Sequence, residues 1–338
     1  MMTAAKNITH IGVIGDGGWG TTLAVYLAGK GYAVHLWGPF PPYVQQMRES
    51  RYNPKFLPGI RLPEDIDITG QLTAAVEKSQ LIIFAIPSPY AVDVLRKIKR
   101  LAVSFDNKII LSVTKGIIHQ NLKRISEVIE EILGEVNLAV LSGPTIAREV
   151  AQGIPSTAVI AARRLSIAQK LQKIFNSENF RIYTNTDVIG VELGGSLKNI
   201  IALACGVCDG LNLGTNTKAA ILTRGLAEMA RLGQAMGAQQ RTFAGLSGLG
   251  DLVTTCFSPQ SRNRSVGEQL GRGRPVQKIL TAMEMVAEGV VTVKAAHRLS
   301  SKYKVAMPIT QEVYNIIYRK KNSRQAVADL MTRRMTAE

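Results

Sequence analysis

The residues best suited to chemistry lie at two points of the chain and suit two kinds of it. The first is Gly15-Asp16-Gly17-Gly18-Trp19-Gly20, which follows the apolar run Ile11-Gly12-Val13-Ile14 and opens a helix-length stretch. Glycines in a G-x-G-x-x-G spacing between strand and helix form an anion cradle. Gly15 permits the tight turn, Gly17 lets the backbone approach a pyrophosphate, and Gly20 lets helix and strand pack closely; the helix N-terminus offers free N–H groups to the anion. A glycine-rich turn without a ligand reads the same in isolation. The strand before it, the helix after it and the full strand-helix-strand unit favour a dinucleotide.

That cofactor points to the second place. Glycine-rich geometry also suits FAD, but a single Rossmann unit with a helical partner fits a nicotinamide dehydrogenase better. Hydride transfer between an alcohol and nicotinamide needs a group that exchanges the hydroxyl proton. The four histidines (His10, His35, His119, His297) are scattered and form no triad or ligand set. Lysine is then the natural candidate, and Gly194-Gly195-Ser196-Leu197-Lys198-Asn199 puts one on a helix beside two glycines. A glycine-packed helix carrying a surface lysine fits those residues equally well.

The choice between NAD and NADP stays open. A ribose 2′-hydroxyl is usually held by an acid at the end of the second strand. Here that strand ends Leu36-Trp37-Gly38-Pro39-Phe40, with neither a carboxylate nor an arginine for a 2′-phosphate.

The elements that must position these groups change character midway. Strands are expected at Ile8 to Ile14, Ala33 to Trp37, Leu81 to Ile86, Lys108 to Val113, Leu138 to Leu141, Thr157 to Ala161 and Phe180 to Tyr183, with a Pro-rich break at Pro39, Pro41 and Pro42. Helices are expected at Trp19 to Gly29, Tyr90 to Leu101 and Leu122 to Leu133. This alternation implies an α/β class with a doubly wound, mainly parallel sheet. From Asp187 onward the chain reads as helices only: Val188 to Cys208, Lys218 to Met236, Val276 to Val286 and Val293 to Tyr303. The expected division is a dinucleotide-binding Rossmann domain over residues 1–188 and an all-α substrate-binding domain over residues 189–338. The Lys198 ammonium and a nicotinamide anchored by the glycine turn would have to share one cleft.

Composition excludes little but narrows the field. Three cysteines make no disulfide framework, and Cys205 and Cys208, inside an apolar stretch, read as small core residues rather than a metal or redox pair. No metal site is expected. The net charge of +16 admits a nucleic acid or a field that draws small anions. The basic residues are spread along the chain apart from clusters at Arg262 to Arg274 and Arg319 to Arg324, and no helix-turn-helix or aromatic-basic surface stands out, so no nucleic-acid partner is expected. The N-terminus lacks the apolar core of a secretory signal, and the longest apolar runs are strand-sized, so no transmembrane segment is expected and a cytoplasmic protein is the simplest reading.

Six blocks resemble one family, the bacterial-type NAD(P)-dependent sn-glycerol-3-phosphate dehydrogenases: Gly15 to Thr21, Thr114-Lys115-Gly116, Leu141-Ser142-Gly143-Pro144-Thr145, Glu192 to Asn199, Gly248-Leu249-Gly250-Asp251-Leu252 and Gln260-Ser261-Arg262-Asn263-Arg264. They stand in the family's order and span nearly the whole chain. The resemblance implies reversible hydride transfer between NAD(P)H and dihydroxyacetone phosphate, giving sn-glycerol 3-phosphate for glycerophospholipid synthesis, and a homodimer. It makes Lys198 the general acid/base, with Asp251 favouring its charged form, and puts Lys115 near the nicotinamide and the substrate. Read alone, Asp251 could be a helix N-cap after Gly250, Lys115 a loop lysine, and Ser-Gly-Pro-Thr a helix-capping turn. Gly143 and Thr145, with Ser142, would line substrate and cofactor. Arg262 and Asn263 would bind phosphate, with hydroxyls from Thr255 and Ser261. Cofactor contacts would come from Gly15, Gly17, Gly18, Trp19, Gly20, Lys115, Ala147, Arg262, Val286 and Glu288. The family tilts the cofactor towards NADPH, but many members carry a basic or polar residue where this chain has Pro39, which puts strict NADP preference in doubt. Some members carry serine at the position of Gly18, so a hydroxyl contact is lost there while backbone donors remain. The enzymatic rival is a related dehydrogenase of hydroxy acids, whose carboxylate would also suit Arg262.

Overall fold

The structure, a computed structural model, describes residues 8–283 and 286–335. It divides into two compact units. The first comprises Met1–Thr114, Ile125–Leu141 and Thr145–Thr186; the second comprises Lys115–Arg124, Ser142–Pro144 and Asp187–Glu338. Two short excursions from the first half of the chain thus belong with the helical unit.

The strands are β1 (His10–Ile14), β2 (Ala33–Trp37), β3 (Tyr52–Asn53), β4 (Leu57–Arg61), β5 (Ile66–Thr69), β6 (Leu81–Phe84), β7 (Ile109–Ser112), β8 (Asn137–Ser142), β9 (Ser156–Ala161) and β10 (Phe180–Asn185). Eight form one sheet in the order β10-β9-β8-β7-β6-β1-β2-β5, while β3 and β4 make a separate antiparallel pair. β1 pairs in parallel with β2 on one side and β6 on the other. All four residues of β6 and of β7 are buried, as expected of parallel strands covered on both faces. The chain leaves β1 towards β2 and returns to β6 on the opposite side, so the carboxyl end of β1 is the point where strand order reverses. Ligands bind at such points in open α/β sheets, and Gly15 follows β1 directly.

The expected break after β2 is shorter than the prolines suggest. Pro41 and Pro42 open the helix Pro41–Ser50, because proline has no N–H to lose in a first helical turn and its φ is already helical. Unanticipated were β5, whose Ile-Asp-Ile-Thr alternates with a charged residue, and the pair β3–β4, of which β3 has two residues.

In the second unit the helix Val188–Gly210 is the core. Asp187 starts it, its carboxylate accepting from the Gly190 amide at 2.9 Å. Its most apolar 18-residue window has a mean hydropathy of 1.5 and is 94% buried within the protein. This is the helix expected at Val188 to Cys208, two residues longer; by length and composition it is span-sized, although Glu192, Lys198 and Asn199 break its apolar pattern into shorter runs. Around it lie Gly214–Ala235, Asp251–Phe257, Arg262–Gly271, Glu288–Tyr303, Pro308–Arg319 and Ser323–Met331. The helix expected at Val276 to Val286 spans Val276–Thr281, and Glu284 and Met285 lie outside the described residues. The one expected from Val293 begins earlier, at Glu288.

Helices Val188–Gly210 and Arg262–Gly271 touch backbone to backbone. A Cβ at Gly206 would sit 2.0 Å from the Arg264 carbonyl oxygen, and one at Gly267 would sit 2.0 Å from that of Leu203. Cys205, Cys208 and Cys256 are unpaired and buried in the helical unit.

Candidate functional site

In the first unit the glycine turn is built by what is missing. Gly15 has φ +122°, a conformation L residues rarely adopt, and a Cβ there would lie 2.7 Å from the Ala85 oxygen. A Cβ at Gly20 would lie 2.0 Å from the Gly15 oxygen, whereas one at Gly17 would meet nothing within 4 Å. Gly17 therefore faces open space while its neighbours are pinned. The helix Gly18–Ala28 starts with no acidic residue in its first turn and no side-chain cap, so its leading N–H groups are available to an anion. Trp19 holds a buried indole Nε1 with no partner, a donor that burial normally requires to be satisfied. These features fit a dinucleotide pyrophosphate. Gly18 has a reason of its own: a Cβ there would lie 2.6 Å from the Phe56 oxygen, so packing against the β3–β4 connection, more than a lost hydroxyl, sets this position. Ala147 belongs to the same unit, its carbonyl accepting from Thr22 Oγ1 at 3.0 Å, as does Thr145.

In the second unit three charged side chains from distant parts of the sequence meet. Lys198 Nζ lies 2.6 Å from Asp251 Oδ1, and Lys115 Nζ lies 2.7 Å from Asp251 Oδ2. One carboxylate thus bridges two ammonium groups. Lys198 also donates to Thr255 Oγ1 at 2.5 Å, Thr255 donates to the Asp251 carbonyl at 2.6 Å, and Lys115 donates to the Gly143 carbonyl at 3.0 Å. Asp251 is 2% exposed and Lys198 6%. Burial pushes the Lys198 ammonium down to about 8; Asp251 opposes the shift and the Lys115 charge adds to it. The carboxylate of Asp251 caps no helix: it stands one residue inside Asp251–Phe257, and the residue before it, Gly250, caps without a side chain.

The helix glycines make this possible. A Cβ at Gly194 would lie 2.6 Å from the Ser247 oxygen, in the turn Leu246–Gly250 that delivers Asp251; one at Gly195 would lie 2.3 Å from Ser142 Oγ and 3.5 Å from Lys115 Cγ. Bare helix surface thus admits the two segments that carry the partners of Lys198.

Beside this chain sits a polar corner. Arg262 is exposed at the start of Arg262–Gly271 and donates to the Val286 carbonyl at 2.9 Å. Asn263 is buried and its Oδ1 accepts from the Gly289 amide at 2.9 Å, next to Glu288, the first residue of its helix. Ser261 caps the helix, accepting from the Arg264 amide. A Cβ at Gly289 would touch both the Asn199 oxygen and Asn263 Oδ1, so the corner abuts the helix one residue beyond Lys198.

Four supporting residues were given no role in the sequence reading. Asn199 Nδ2 reaches the Lys115 carbonyl at 3.4 Å, and Arg124 forms a buried ion pair with Glu192 at 2.9 Å. Asn53 supports the glycine turn, donating to the Asp16 carbonyl at 2.7 Å. Glu192 and Asn199 stand inside a quoted block and so carried a signal; Arg124 and Asn53 carried none.

Family models describing the N-terminus and the C-terminus of NAD-dependent glycerol-3-phosphate dehydrogenase match residues 10–168 and 187–328. A glycerol-3-phosphate dehydrogenase, NAD(P)+, of Citrifermentans bemidjiense is 48% identical over 333 residues, covering 97% of this chain and 98% of that one. The crystal structure of glycerol-3-phosphate dehydrogenase from Coxiella burnetii superposes with a TM-score of 0.93 at 38% identity, over 96% of this chain and 99% of that one. A ketopantoate reductase from Ralstonia eutropha shares the fold alone, at 15% identity, a TM-score of 0.61 and coverage of 94% and 99%.

Proposed function

We propose, on the premise that this chain belongs to the NAD-dependent glycerol-3-phosphate dehydrogenase family, that it interconverts dihydroxyacetone phosphate and sn-glycerol 3-phosphate with NAD(H) or NADP(H). The dinucleotide, when bound, supplies or takes the hydride. Lys198 handles the proton, giving it to the carbonyl oxygen in reduction and taking it from the hydroxyl in oxidation. The observation that carries this role is a buried ammonium brought to about 8 and held 2.6 Å from Asp251: a proton-transfer group works best with a pKa near the operating pH. Lys115 sets a second positive charge towards the substrate oxygen, and Asp251 holds both ammonium groups in place.

Arg262 and Asn263 hold the substrate phosphate. A guanidinium offers a planar fork to phosphate oxygens, and Asn263, with its oxygen committed to Gly289, keeps an NH2 group to donate. Thr255 and Ser261 add hydroxyls, and Gly143 and Thr145 line the substrate. Gly15, Gly17, Gly18, Trp19, Gly20 and Ala147 hold the dinucleotide in a domain of residues 1–188, assisted by Lys115, Arg262, Val286 and Glu288, while residues 189–338 form the substrate domain. The product feeds glycerophospholipid synthesis and the working form is a homodimer. The reading places the enzyme in the cytoplasm, where three unpaired, buried cysteines stay reduced.

Substrate-dependent oxidation of NADH and NADPH tests this reading. Turnover with dihydroxyacetone phosphate is expected; turnover with a 2-keto or β-keto acid instead would pass the assignment to the rival dehydrogenases. Lys198→Met should still bind dinucleotide but lose turnover by a factor on the order of 10³. Near-normal turnover in that variant would remove Lys198 from the proton-transfer role.

A further inference from the structure

The glycine turn contains a charge that an anion cradle has no need of. Asp16, the second residue of the motif, is 6% exposed, and its Oδ2 is buried without a hydrogen-bond partner. A buried oxygen in that state calls for an explanation. Its position supplies one. A Cβ built on Gly38 would lie 2.3 Å from Asp16 Oδ2 and 2.8 Å from its Cγ. The carboxylate, together with Val44, whose Cγ2 would lie 2.9 Å from the same Cβ, therefore fills the space that a side chain at residue 38 would occupy.

Residue 38 follows β2 directly and lies 18 positions after Gly20. In dinucleotide folds an acid about 20 residues beyond the glycine motif addresses the adenosine ribose. This chain has glycine at that place, and the acid comes from the glycine turn instead. We propose that Asp16 makes the first unit select NAD(H) over NADP(H), its relocated carboxylate turning away a ribose 2′-phosphate by charge. The inference rests on the dinucleotide reading of the glycine turn given above.

The neighbouring residues leave this charge uncompensated. Leu36-Trp37-Gly38-Pro39-Phe40 contains no cation for a 2′-phosphate. On the following helix Arg48 donates to the Ile68 carbonyl at 2.7 Å, and Tyr43 donates to Asn53 Oδ1 at 2.6 Å. On the β3–β4 connection Lys55 Nζ sits 5.4 Å from the centre of the Phe56 ring. The Asp16 backbone is fixed from two sides, its carbonyl accepting from Thr21 Oγ1 at 3.0 Å and Asn53 Nδ2 at 2.7 Å. Burial pushes the Asp16 carboxyl up to about 6, against a bond from its own backbone amide, so at pH 8 it is ionised.

The test is calorimetric binding of NADH and NADPH to the full-length protein at pH 8. Wild type should bind NADH at least tenfold more tightly. Asp16→Asn, which removes charge and keeps shape, should tighten NADPH at least tenfold while changing NADH by less than threefold. Asp16→Ala with Gly38→Asp, which returns the acid to the end of β2, should restore the wild-type ratio. Equal or tighter NADPH binding by wild type overturns the proposal without any variant, as does an unchanged ratio in Asp16→Asn. Binding of neither dinucleotide would sink the cofactor reading itself; selective binding without dihydroxyacetone phosphate turnover would sink only the substrate reading.

Discussion

The glycine turn of the first unit and the Lys115–Asp251–Lys198 chain of the second are opposite solutions to holding charge. The turn does it with backbone: four glycines remove side chains, and N–H groups stand ready for an anion brought from outside. The second unit carries its own charges, two ammonium groups and one carboxylate, burying Lys198 and Asp251 and partly burying Lys115. The difference teaches where each is vulnerable. A site made of backbone fails when atoms are added; a site made of paired ions fails when one is removed, because the others remain buried without compensation.

Removing the shared carboxylate should therefore produce the largest effect. Asp251→Asn leaves two ammonium groups without their counter-charge. Turnover should fall by about 10³, and urea unfolding should show a loss of about 3–5 kcal/mol. A variant as stable and active as wild type would erase the contrast between the two sites.

Adding single carbons to the turn should give a smaller and uneven response. Gly20→Ala puts a methyl 2.0 Å from the Gly15 oxygen, so a loss of about 1–3 kcal/mol of stability is expected, with weakened dinucleotide binding. Gly17→Ala meets no protein atom; it should leave the unfolding midpoint unchanged and weaken only the dinucleotide. Equal effects of the two variants in thermal melts and binding titrations would contradict the division into packing and ligand-facing glycines.

The mildest perturbation is pH. With Lys198 at about 8, the reductive rate, which needs the ammonium, should be flat below that value and fall tenfold per unit above it. The oxidative rate, which needs the free amine, should rise up to about 8 and then level. Stability follows from the same shift. Between about 8 and the ordinary lysine value of 10.5 the unfolded chain holds a proton that the folded chain has released. The destabilisation from burying the ammonium is complete below about 8 and fades as pH rises through that window. Profiles in both directions at saturating substrate check the rates, and urea midpoints between pH 7 and 10.5 check the sign.

The same contrast explains what could be read in the sequence. The glycine turn is contiguous, so six neighbouring residues between a strand and a helix reveal it. The parallel strands were legible for a similar reason, since β6 and the Ile109-Ile110-Leu111 part of β7 are short, continuous apolar runs. The ion chain is not contiguous: Lys115, Lys198 and Asp251 are 83 and 53 positions apart, and only the family's block order linked them. Nothing local marks residues 115–124 or 142–144 as members of the helical unit, because that membership depends on what they pack against. Asp16 was visible as a motif residue, but its significance lies in the absence of a side chain at Gly38, which only coordinates reveal.

The glycine-on-glycine contact between helices Val188–Gly210 and Arg262–Gly271 has a consequence for how this protein tolerates change. Gly206 and Gly267 let two backbones touch, so the interval between Lys198 on one helix and Arg262 on the other is calibrated by hydrogen atoms. A single methyl at that seam acts as a wedge: it leaves the reactive groups intact yet resets the distance between them. Drift in the family should therefore run freely over the outer faces of these helices and stall along the seam, where the ruler is made of missing side chains.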